Sequence, residues 1–259
     1  GKLLRTMGSA DSFGVPRLGD KERVAEIDAG SLYTHYRNIL QSSPIELFYV
    51  GSTAGQQVAE LLKEMLAPIE RNYVNPEAQT SFRDGGGSNA AEEMDTAQSV
   101  LCMGFLTPIT SDKPEFATMQ VLNIIFGGGM TSKLFRQVRE KQSLCYAIGS
   151  GYYGSKGIVT VSAGIDREKE SQVRAEVLNQ LDACRRGEIT EEELNAAKEA
   201  MLSSLRGIHD SPSAIESYYA TSRLSGMGMD PFRYMEALGQ VTARQVVEAA
   251  NTVSLHTQY

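Results

Sequence analysis

The stretch Phe126–Tyr153, FGGGMTSKLFRQVREKQSLCYAIGSGYY, constrains the fold of this chain more than any other. Three consecutive glycines stop one helical pattern, and Thr131 stands where it can cap a short helix running through Arg139. That helix offers Leu134, Phe135 and Val138 to a core. A strand over 144–153 follows, and Gly154-Ser155-Lys156 turns the chain into a second strand over 157–165. There Val159, Val161, Ala163 and Ile165 alternate with Thr160, Ser162 and Gly164, so one face is buried. Helices interspersed with a hairpin indicate an α+β fold rather than a doubly wound parallel sheet.

The flanking segments agree. Residues 1–19 are Gly-rich, carry Pro16 and read as irregular backbone. A helix begins at Asp20, and a second follows with Ser31 as its N-cap and Leu32, Tyr36 and Ile39 on one face. Ile45–Val50 is a β-rich run ending at Gly51. Val58, Leu61, Leu62, Met65 and Leu66 then form an amphipathic stripe. Periodicity is lost from Pro68, and residues 71–96, with Pro76 and Gly85-Gly86-Gly87, read as a linker. Beyond it come a strand at 99–106, a helix opening near Ser111 with Pro114 in its first turn, and a helix from Arg167. Helices starting at Thr190 (a capping box with Glu193), Ser211-Pro212, Asp230-Pro231 and Thr242 complete the pattern, with a last strand near Ser254. An offset of 211 residues lays Ile27–Ile39 on Leu238–Ala250, which suggests a tandem duplication. Residues 1–70 then read as the tail of one unit and residues 97–259 as the second.

Composition excludes several classes of partner. A net charge of −7 with no cluster of Lys and Arg argues against nucleic acid. No apolar run approaches the length of a membrane span. Three widely spaced cysteines, Cys102, Cys145 and Cys184, suggest free thiols in a reducing compartment, hence a cytoplasmic location. The chain opens Gly-Lys-Leu, so nothing about a targeting signal follows.

Catalytic motifs are scarce. Neither H-E-x-x-H nor H-x-x-E-H occurs: His35 precedes Tyr-Arg-Asn-Ile, His209 precedes Asp-Ser-Pro-Ser, and His256 lies at the end. No metal site, no G-x-S-x-G elbow and no phosphate loop is legible. The carboxylates Glu191–Glu193 fit the first turn of a helix. Arg139 and Tyr146 stand apart. A permanently charged fork at a helix end and a phenol entering a strand can converge on one point, grip a peptide carbonyl and stabilise an oxyanion on it. The same residues also suit a plainer arrangement, in which Arg139 pairs with terminal carbonyls of its helix and Tyr146 is a core-edge tyrosine.

The segment from Phe126 to Lys141, followed by Leu144-Cys-Tyr146, resembles the pitrilysin/insulinase family of zinc peptidases, which includes mitochondrial processing peptidase. The family pattern runs approximately L-G-G-G-x-S-S-R-L-F-x-x-V-R-E-K-x-x-L-A-Y; Phe126, Lys133 and Cys145 depart from it. Thr190–Lys198, Val241-Thr242 and Gly51 after its β-run are softer matches. Ala10–Pro16 and the segment from Pro44 look most like a bacterial zinc-less branch.

The resemblance implies a duplicated α+β fold of the processing-peptidase (LuxS-like metallohydrolase) type, a mixed, mainly antiparallel sheet flanked by helices. It implies that zinc, bound through H-x-x-E-H, belongs to a first domain or a paralogous subunit, while the second domain holds the peptide. Carried onto this sequence, Arg139 binds a substrate carbonyl, Tyr146 helps stabilise the tetrahedral intermediate, and Gly127, Gly128 and Gly129 form a flexible loop. The chain alone is then expected not to hydrolyse peptides, needing a zinc-bearing subunit or its own N-terminal domain. A catalytically silent scaffold that binds peptides or proteins is the alternative. As an isolated fragment the chain is expected to dimerise or to dock residues 45–67 onto itself.

Overall fold

A computed structural model describes residues 1–73, 82–96 and 98–259. Residues 74–81 of the expected linker, and Ala97, lie outside the described residues. The fold is α+β, built on a four-stranded sheet in the order β2-β3-β1-β4. Its strands are β1 (Ser99–Leu106), β2 (Cys145–Tyr153), β3 (Ile158–Ile165) and β4 (Ser254–Gln258). Every strand pair is antiparallel, and one isolated parallel bridge joins Asn89 to Gln258. The β2–β3 hairpin is as expected, with Gly157 added to its turn. Gly157 has φ +63°, and a Cβ there would lie 2.2 Å from the Thr107 carbonyl oxygen, so glycine is required twice over.

One sheet face carries the core. Leu101, Met103 and Phe105 of β1 and Val159, Val161, Ala163 and Ile165 of β3 point into it, all buried. Against them lies α5 (Phe116–Phe126), buried almost all round, as its continuous apolar sequence requires. Around α5 stand α6 (Glu170–Arg185), α7 (Glu191–Arg206), α9 (Pro231–Gln240) and α10 (Ala243–Thr252), each offering one apolar stripe. The capping box expected at Thr190 forms with Glu193, and Thr242, expected to start the last helix, caps it through a further box with Gln245. α8 (Pro212–Ser225) starts on its proline and ends at Gly226, whose φ of +76° closes the helix.

The N-terminal segment departs from expectation. Lys2–Met7 is a helix, α1, whose Leu3 and Met7 are buried against Ile158 on the opposite face of the sheet. Gly104 makes room for it: a Cβ there would sit 2.1 Å from the Met7 sulfur. Asp11 fastens the segment that follows. Its carboxylate accepts from the Phe13 and Arg83 amides at 2.8 and 3.0 Å and pairs with Lys156 at 3.3 Å.

The segment read as helix, helix, strand, helix is less settled against the rest. α2 (Lys21–Ala25), α3 (Ala29–Ser42) and α4 (Gly55–Leu66) form, but none has a buried residue. The N-cap of α3 is Asp28; Ser31 is its capping-box partner three residues on, so α3 and α10 do not begin in the register of the 211-residue offset. Residues 45–50 form no strand. A β-rich sequence becomes a strand only beside a hydrogen-bonding neighbour, and none of the described strands lies alongside it. Among the described residues no helix is long and apolar enough to cross a membrane.

Candidate functional site

The Gly127 triplet leads from α5 into the segment that carries the candidate pair. Asn123 organises the bend: its carbonyl oxygen accepts from the Gly127 and Gly128 amides at 3.0 and 2.9 Å. The Gly127 carbonyl in turn accepts from the Ser150 amide of β2 at 2.8 Å. A Cβ on Gly127 would meet Ser150 and Leu134 within 2.8 Å, and one on Gly128 would meet the Ile124 backbone at 2.9 Å. Gly129 has open space around it.

Leu134–Lys141, where a short helix through Arg139 is expected, is a π-helix, and it takes no side-chain cap from Thr131. Such wide turns are uncommon and concentrate at functional sites. Leu134 and Val138 are buried beneath it, which turns Phe135 and Arg139 outward. The Arg139 guanidinium lies over the Phe135 ring, 4.7 Å from its centroid. The entry to the π-helix is pinned by Lys133, whose ammonium donates to both carboxylate oxygens of Glu193 at 3.0 and 3.1 Å. Glu193 also closes the α7 capping box, so the Gly-rich motif and the Thr190 motif meet in one buried ion pair.

At the other end, Ser143 (φ +51°) turns the chain into β2, and Lys169 donates to the Ser143 carbonyl at 3.3 Å. Arg139 and Tyr146 meet across this turn, but through the backbone: Arg139 Nε donates to the Tyr146 carbonyl oxygen at 2.9 Å. One terminal nitrogen of Arg139 pairs with Glu140 at 2.9 Å. The Tyr146 hydroxyl donates to Asp166 Oδ1 at 2.6 Å, and Asp166 also pairs with Lys169 at 3.2 Å. The hydrogen bond to Asp166, with its negative charge, holds the Tyr146 phenol pKa above its ordinary value, so the group is a neutral donor. Arg139 and Tyr146 line one open cleft of about 420 Å³ together with Glu140, Ser143, Leu144, Cys145, Asp166 and Lys169. Burial raises the Cys145 thiol pKa against the opposing pull of Arg139 and Lys169, which favours its protonated form.

Asp166 and Lys169 carry no motif that sequence reading would select. Asp166 precedes a helical start and would be taken for an N-cap. Its carboxylate makes no cap bond and turns to Tyr146 instead.

The histidines do not make a zinc site. His35 is exposed on α3, His209 stacks on Phe232, and His256 is engaged by Asp84 and Thr257 at 2.7 Å each. Among the described residues no group of three or more His, Cys, Asp or Glu stands where it could hold a metal. Among the described residues the donor set does not fit the zinc of the resembling family.

Comparison with known proteins decides the family. The sequence profile described as "Peptidase M16 inactive domain" matches residues 26–201, more than half of the chain. The chain belongs to that family. It is 24% identical over 265 residues to the "Probable inactive metalloprotease YmfF" of Bacillus subtilis, covering all of this chain and 61% of that protein. It is 30% identical over 172 residues to an "Uncharacterized zinc protease" of Rickettsia felis, covering 64% of this chain and 41% of the other. The crystal structure of a conserved protein from Enterococcus faecalis superposes with a TM-score of 0.88 at 25% identity, over 98% of this chain and 61% of that one. A peptidase M16 inactive domain from Pseudomonas fluorescens shares the fold, with a TM-score of 0.77 at 17% identity over 99% and 63% of the two chains. The M16 chain described here thus spans about three fifths or less of the length of these relatives. The resemblance drawn from Phe126–Tyr146 and the α+β expectation both hold.

Proposed function

We propose that this M16 domain is the substrate-holding, catalytically incomplete half of a zinc metallopeptidase. Arg139 and Tyr146 hold a peptide backbone beside a zinc carried by another domain or by a paralogous subunit. The observation that carries this reading is the shared cleft: both side chains open into it, each at the end of a rigid element. Arg139 spends two N–H groups on Tyr146 and Glu140, and its other N–H groups have no partner among the described residues. A planar fork with free donors suits a peptide carbonyl oxygen, and a neutral phenol suits the charge that develops on such an oxygen during attack. Gly129 gives the loop ahead of the π-helix room to adjust when a peptide enters, while Gly127 and Gly128 anchor it.

Direct binding tests this. Fluorescein-labelled oxidised insulin B chain, an unfolded peptide with accessible backbone carbonyls, is expected to bind the purified chain. Arg139→Ala should weaken that binding about tenfold, the scale of a lost charge-assisted hydrogen bond. Equal affinity of wild type and Arg139→Ala would remove the basis for the reading and favour the scaffold alternative.

A further inference from the structure

The Tyr146 hydroxyl has one proton, and in this structure that proton is given to Asp166. A phenol so engaged cannot also donate to a peptide oxygen. We propose that Asp166 is a substrate-competing latch: it parks the Tyr146 phenol, and a peptide carbonyl must displace it before Tyr146 can grip. The proposal rests on the substrate-holding role of Arg139 and Tyr146, and adds a residue that sets the affinity of that grip.

Two independent observations support a latch over an incidental contact. The first is what Asp166 forgoes. It occupies the N-cap position of the Arg167–Lys169 turn that leads into α6, where an aspartate ordinarily accepts from the backbone amides of the first turn. It makes no such bond, and its carboxylate faces the cleft. The second is how Asp166 is held. Lys169 grips the carboxylate from one side and the Ser143 carbonyl with the same ammonium, tying the latch to the turn between Arg139 and Tyr146. Tyr146 itself is 53% exposed, so its ring is free to swing once the hydroxyl is released. A carboxylate is a stronger acceptor than the neutral carbonyl that replaces it, so each binding event gives up the better bond.

The test uses labelled oxidised insulin B chain with wild type, Asp166→Ala, Tyr146→Phe and the double variant. Asp166→Ala is expected to tighten binding about fivefold, the order of one charge-assisted bond discounted for exposure. The double variant should bind like Tyr146→Phe alone, because without the hydroxyl there is nothing to unlatch. Unchanged or weaker binding by Asp166→Ala overturns the latch. Equal tightening in the Tyr146→Phe background also overturns it, since the effect would then be one of general charge. The underlying reading fails separately, by Arg139→Ala binding as wild type does. A second measurement does not depend on peptide: the Tyr146 ring carbon, followed by NMR against pH, should titrate at lower pH in Asp166→Ala. An unmoved titration overturns the latch as well.

Discussion

Two buried carboxylates hold this domain together at points where distant segments meet. Lys133 and Glu193 are each about nine-tenths buried and are joined through both carboxylate oxygens. Removing either partner strands the other charge away from water, so Glu193→Ala is expected to cost about 3 kcal/mol in urea unfolding. Asp11 is more buried still and ties the first fifteen residues to the Arg83 backbone and to Lys156. Burial alone would raise its pKa, but the amides of Phe13 and Arg83 and the Lys156 ammonium outweigh that and hold it below the ordinary value. A depressed carboxylate stabilises the fold above its unfolded pKa of about 3.9, and that contribution is lost as pH falls through the lower folded value. The stability difference between wild type and Asp11→Asn, read by denaturant titration, should therefore be constant from pH 7 to about 5 and shrink below about 4. A difference that grows on acidification would contradict the assignment.

At the scale of elements, the Gly127 triplet separates two roles that its three identical letters conceal. Gly127→Ala would drive a methyl into Ser150 and Leu134 and is expected to lower stability by about 2 kcal/mol. Gly129→Ala meets open space and should stay within about 0.5 kcal/mol. Thermal melts of the two variants distinguish these outcomes. Elements whose stability is written locally were legible in the sequence: the β2–β3 hairpin by its alternation, α7 by its capping box, α10 by its Thr242 cap, α9 by Asp230-Pro231. Elements that depend on a distant neighbour were not. α1 lies in a glycine-rich context and exists because Leu3 and Met7 find the far face of the sheet. Residues 45–50 have strand composition but no partner strand among the described residues. The π-helix hid behind an apolar spacing that an α-helix also satisfies. That Arg139 and Tyr146 come together was legible through their motif. Asp166 was not, because an aspartate before a helix has a commoner use than the one it serves here.

For the whole molecule, the sheet carries the main core with α5–α10 on one face and a smaller cluster with α1 on the other, and α2–α4 stand outside both. Leu32 and Tyr36 of α3 and Leu61 and Met65 of α4 are all more than half exposed. Apolar stripes of this kind bury themselves when they can, so the 259-residue chain is expected to self-associate at micromolar concentration. Sedimentation velocity should show a dimer that Leu61→Glu with Met65→Glu returns to monomer. A wild-type monomer at all concentrations would contradict this.

Co-expression with a zinc-bearing M16 paralogue tests the substrate-holding role of Arg139 and Tyr146 most directly. The purified pair is expected to cleave oxidised insulin B chain in a chelator-sensitive reaction that neither chain performs alone. Arg139→Ala and Tyr146→Phe should each lower that cleavage at least about tenfold without dissolving the complex. Full cleavage with both residues replaced, or a stable complex that never cleaves, would contradict the claim.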